Sequence, residues 1–150
     1  MTKIAAFLLC VFSWSFAMAA DFSTPQSALR ALEAAYAHND LNAAVAAKNF
    51  RIEAVELLRS HNSAYAADSE LVRKTAKVLE LSFREQMRTQ GFPDFNHVTC
   101  RILSTKYLRT DVAEMTEVCT FSDGGTSETV IHAAKEGNKW GVVVLPQDQY

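Results

Sequence analysis

Gly91 and Pro93 divide this 150-residue chain into two stretches that cannot fold alike. Before them, Leu71, Val72, Thr75, Val78, Leu79, Phe83 and Met87 recur at three- and four-residue spacing. Glu70, Arg73, Lys74, Lys77, Glu80, Arg84, Glu85 and Arg88 fill the gaps. That period places one apolar stripe on a solvated helix over 70–90, and the stripe reads as core. Gly91 supplies the residue that ends it, and Pro93 prevents its resumption. After them, residues 97–108, 112–122, 126–135 and 139–145 are rich in Thr, Val, Ile, Tyr and Trp. Arg109-Thr110-Asp111, Asp123-Gly124-Gly125 and Glu136-Gly137-Asn138 separate them as turns. Short connections of that kind join sequential antiparallel strands. The expected class is α+β: N-terminal helices packed on one face of a four-stranded antiparallel meander.

Upstream, Thr24 caps a helix that opens on Pro25, where the missing N–H costs nothing. Leu29, Leu32 and Tyr36 share its apolar face with Ala28 and Ala35, while Arg30 and Glu33 are expected to point away. Asp40 caps a second, Ala-rich helix over 41–47. Phe50, Ile52, Val55 and Leu58 keep helical spacing, and the pattern leaves open whether they continue that helix or follow a break at Lys48-Asn49. Residues 61–67 read as a connector.

The first 19 residues have the three-part layout of a secretory signal: Lys3, an apolar run over 4–16, and Ala17-Met18-Ala19 as the small-x-small site. Spanning a bilayer takes about 17–25 apolar residues, and this run is shorter. Leu9 directly before Cys10 argues against lipid attachment. Cleavage would leave 20–150 as a single domain with no stable membrane anchor, in the periplasm or the medium. The formal net charge is −2, with 15 basic residues scattered among 17 acidic ones. No basic stripe forms, so nucleic acid is not an expected partner.

Without Cys10, Cys100 and Cys119 are the two cysteines left in an oxidising compartment. If the first two strands turn about Arg109 and Thr110, each cysteine lies nine positions from its turn residue and the two face each other. Opposed Cβ atoms in antiparallel strands approach to about 4.5–5.5 Å, less at non-hydrogen-bonded sites, so a disulfide is expected. A four-residue loop over 108–111, closed by a Tyr107–Val112 pair, gives the favourable parity. A bulge in either strand would send the two side chains to opposite faces.

His38, His61, His97 and His132 show no metal-ligand spacing, and no metal or cofactor is expected. No Gly-x-Ser-x-Gly elbow, Gly-x-Gly-x-x-Gly or P-loop occurs. No catalytic residue is assigned. If the chain is an enzyme, the candidates are His132, in mid-strand, and Glu117, on one face with Met115 and Cys119. Either would act as an acid–base group, Glu117 with a pKa raised by burial. The plainer reading of each is a surface or core histidine and a rim carboxylate.

Thr24-Pro25-Gln26-Ser27-Ala28-Leu29, followed by Tyr36-Ala37-His38-Asn39-Asp40-Leu41-Asn42-Ala43-Ala44, resembles the opening of the nuclear transport factor 2-like (NTF2-like) superfamily. The resemblance implies a cone-shaped, cystatin-like domain, and the meander matches it in outline. It departs where 50–60 stays helical in pattern in place of the strand usual there. Such proteins include isomerases, dehydratases, ligand binders and immunity proteins that neutralise toxins. No isomerase-type acid–base pair maps onto this chain. With the leader, the resemblance implies an exported, non-catalytic binding protein acting through the concave sheet face or the helix–sheet cleft. Its partner is a protein, such as a toxin, or a small apolar ligand. The alternatives are a small isomerase- or dehydratase-like enzyme and an envelope-assembly partner using the helical face.

Overall fold

The computed structural model describes residues 20–146, so the expected signal over 1–19 lies outside the described residues. Five helices precede four strands: α1 Pro25–Ala37, α2 Leu41–Ala47, α3 Phe50–His61, α4 Ser63–Ala67, α5 Ser69–Gln90, then β1 Thr99–Arg109, β2 Val112–Thr120, β3 Thr126–Glu136 and β4 Lys139–Val143. The sheet order is β1-β2-β3-β4, an antiparallel meander, as the run of short turns requires.

Caps delimit the helices. Thr24 Oγ1 accepts from Ser27 N and Asp40 Oδ1 from Ala43 N. Asp68 Oδ1 accepts from Glu70 N and Leu71 N, and α5 ends at Gly91 with φ +82°. The structure decides one boundary that the pattern left open and shifts others. α2 and α3 are separate, because Lys48 turns extended to bridge Val142 and Asn49 N donates to Val142 O. Gly141 makes that approach possible, since a Cβ there would lie 2.9 Å from Asn49 Cβ. Residues 61–67 are not a plain connector: α3 runs through His61, and Asn62 caps the short α4. β1 begins at Thr99 and not at 97, because His97 takes the left-handed conformation at φ +62°.

The main core joins Ala28, Leu29, Leu32 and Ala35 of α1, with Ala44 and Ala47 of α2, to Ala113, Met115, Ala133, Trp140 and Val142 of the sheet. Small residues on the helices let them lie close to the strands. Ile52 of α3 closes a second cluster with Val112, Ala134, Val143 and Leu145. Of the expected α5 stripe, Val72 and Met87 are buried, whereas Val78 is exposed, because α5 packs along α3 on a narrow seam and not on the sheet.

The β1–β2 register departs from the expected hairpin and still joins the cysteines. The turn is Thr110-Asp111, closed by Arg109 opposite Val112, not the four-residue loop over 108–111. An unbroken ladder from there would set Cys100 against Phe121. Leu103 and Leu108 each leave the ladder as a bulged residue of β1, so Cys100 meets Cys119. Two bulges restore the parity that one would destroy. The paired cysteines have Cα atoms 4.0 Å apart and sulfurs at bonding distance.

Candidate functional site

Strand alternation puts Ala113, Met115, Glu117 and Cys119 of β2 on the face that α1 covers. Beyond Met115 the helical cover thins and the core becomes polar. Glu117 is 3% exposed, one of three polar or charged residues buried among those described. Its Oε1 accepts from Arg30 Nη1 at 2.8 Å, and its Oε2 lies 3.7 Å from Cys119 Sγ. Arg30 Nη1 also bonds Glu33 Oε2. Arg30 and Glu33 therefore do not both point away from the core. They flank the apolar stripe of α1 and reach β2.

Arg30 is the one cation bonded to these two carboxyls among the described residues. A second negative charge here lacks a counter-ion in a poorly solvated place. Burial first, and the hydrogen bond with Glu117 second, raise the Glu33 pKa from 4.5 to about 7. Glu33 Oε1 is buried and accepts from no donor. A protonated Glu33 resolves that lack, because it becomes the donor, toward Glu117. Glu33 thus keeps its proton well above the ordinary carboxyl range.

Two clefts flank Glu117 and Glu33, and a third, of about 510 Å³, reaches Arg30 from the side of Ala31, Ala35 and His38. One, of about 300 Å³, has Glu117 and Cys119 at its base and Pro93, Asp94, Phe95, Val98, Phe121, Ser127, Thr129 and Ile131 around them. The other, of about 360 Å³, is lined by Arg30, Glu33, Ala34, Ala37, Phe95, Val98, Thr99 and Cys100. The disulfide forms part of the wall between them. The 91–98 loop shapes both: Asp94 Oδ1 accepts from Asn96 N, and Phe92 and Phe95 pack on Tyr36 with centroids 6.1 and 6.0 Å away. Burial raises the Tyr36 pKa.

Of the two acid–base candidates, Glu117 is buried and lines a cleft, which removes the rim-carboxylate reading. His132 is elsewhere. It pairs across the sheet with Glu114 at 3.4 Å, on the face opposite Glu117. The two do not form one site. Sequence reasoning missed Arg30 and Glu33. The available signal was position: Glu33 follows Leu29 by four residues and precedes Tyr36 by three, which puts it on the border of the stripe. Cys100, Cys119 and Glu117 bring three donor atoms within 4.8 Å of one another, but the disulfide occupies both sulfurs.

No family model matches the chain, and no curated protein does. A crystal structure described as that of an NTF2-like transpeptidase from Campylobacter jejuni is similar to this chain at 18% identity. The match covers 65% of this chain and 94% of that one, with a TM-score of 0.29. A score that low assigns no role to any residue. The helices-then-meander architecture rests on the strand order itself. No described helix is long and apolar enough to cross a membrane.

Proposed function

We propose that this chain is an exported binding protein of NTF2-like type that holds a small, largely apolar ligand in the cleft over Glu117. One observation carries the reading: a buried carboxylate, held from behind by Arg30, ends a cavity of about 300 Å³ walled by Phe95, Val98, Phe121 and Ile131. Ligand sites commonly combine apolar walls with a few placed polar groups at about this volume. Export rests on the leader pattern over 1–19, and Ala20 would begin the mature chain. The test is fluorescence of a neutral apolar reporter, N-phenyl-1-naphthylamine. Its emission should rise with the protein and fall to the free-dye level with Ile131→Trp, which fills the cleft, while circular dichroism stays unchanged. Equal emission with both proteins would defeat the reading. An immunity-type role against a toxin would use a protein surface, so Ile131→Trp would leave toxin binding intact.

The Glu33–Glu117 pair favours a second reading. Two carboxyls side by side next to a cavity, Glu33 with its pKa raised by burial, make an acid–base set of the kind an isomerase or dehydratase uses. Turnover that Glu33→Gln abolishes without unfolding the protein would establish it.

A further inference from the structure

We infer that the cleft over Glu117 takes a small organic cation, a substituted amine or quaternary ammonium on an apolar body. This rests on the cleft being the ligand site proposed above, and names the ligand's chemistry. The charged residues that line it are both acidic, Asp94 on the loop and Glu117 at the base, and no Lys, Arg or His is among its lining residues. An anionic ligand would therefore meet repulsion at both ends. A neutral hydrocarbon would leave Glu117 Oε2 beside Cys119 Sγ, which as a disulfide sulfur has no proton to donate. A ligand N–H, or the positive shell of an ammonium, gives Glu117 a partner from within the cleft, which neither Arg30 nor Glu33 lines.

The walls suit the same ligand. Phe121 lines the cleft and is 42% exposed, so its ring is accessible to a ligand entering there. Phe95 lines the same cleft and is held by its packing on Tyr36. A carboxylate at the base and aromatic rings at the sides are the usual surroundings of a bound ammonium, because the ring face carries negative potential. Arg30 does not oppose this, since it bonds Glu117 through Oε1 and lines the other cleft.

Three benzyl competitors test the inference by displacement of N-phenyl-1-naphthylamine: benzyltrimethylammonium, its carbon isostere neopentylbenzene, and the anion phenylacetate. The cation should displace the reporter at a concentration about tenfold or more below the neutral isostere, equivalent to about 1.4 kcal/mol, with phenylacetate weakest. Asp94→Asn and Phe121→Leu, both at exposed positions, should each shrink that ratio, and Glu117→Gln should bring it close to unity. If Glu117→Gln does not fold, the other two variants decide. Equal displacement by cation and isostere, or better displacement by phenylacetate, overturns the cationic ligand and leaves the cleft reading standing. A cation preference untouched by Asp94→Asn and Phe121→Leu overturns it as well. A reporter that never binds removes the cleft reading, and this inference with it.

Discussion

Among the described residues two carboxylates are almost fully buried, and their surroundings differ. Glu56 of α3, 2% exposed, receives Arg59 at 2.7 Å and Arg109 at 2.8 Å. Glu117 of β2, 3% exposed, shares the single Arg30 with a second carboxyl, Glu33. At Glu56 two guanidiniums bond the one buried carboxylate, Arg109 reaching the exposed Asp111 as well, and the cluster ties α3 to the β1–β2 turn. At Glu117 anions equal or exceed cations, a proton makes up the difference, and a cavity opens on the group. A buried charge with surplus partners holds structure, whereas one with too few partners retains capacity for a ligand or a proton.

Removing the disulfide beside Glu117 should have the greatest effect on stability. The double change Cys100→Ser and Cys119→Ser opens a loop with a sequence separation of 19. In the chain-entropy account that costs roughly 3 kcal/mol, measurable by urea denaturation. Arg30→Ala should come next, at about 2–3 kcal/mol. That is below the figure for a fully buried pair because Glu33 can keep its proton. Arg59→Ala should cost less than about 1 kcal/mol, since Arg109 still bonds Glu56. If Arg59→Ala costs as much as Arg30→Ala, the contrast between the two clusters fails.

The pH dependence of folding separates the clusters more finely. Glu33 has a folded pKa raised above its ordinary value, so the folded state binds the proton more tightly. Its contribution to stability is complete below pH 4.5, declines as the pH rises toward about 7, and is flat above. In melts corrected for the other carboxyls, Glu33→Gln should remove that decline and leave stability at low pH nearly unchanged. A decline of the same size in Glu33→Gln would assign it to another group.

Residues whose role is local were legible in the sequence. Thr24, Asp40 and Asp68 act as caps and Gly91 as a stop through their own backbone neighbourhood, which a one-dimensional pattern records. The four strands were legible for the same reason. The disulfide was legible by a partly mistaken route: the pairing is right, while the turn and the two bulges at Leu103 and Leu108 differ, because bulges follow from twist and packing. Arg30 and Glu33 were not legible. On α1 alone they make an ordinary i,i+3 pair, and only the rotation of that helix over β2 brings them to Glu117. His132 was misleading because mid-strand position does not reveal which sheet face is covered.

Isotope-edited infrared spectroscopy of the glutamate carboxyls reads the Glu33 proton directly. Near pH 6 the native protein should show a protonated-carboxyl band that disappears with a midpoint near 7. Glu33→Gln should lack that band. Arg30→Ala should keep it to higher pH, since the cation that favours ionisation is gone. Loss of the band at the ordinary carboxyl value of 4.5, or its survival in Glu33→Gln, would show that Glu33 does not keep its proton above the ordinary range.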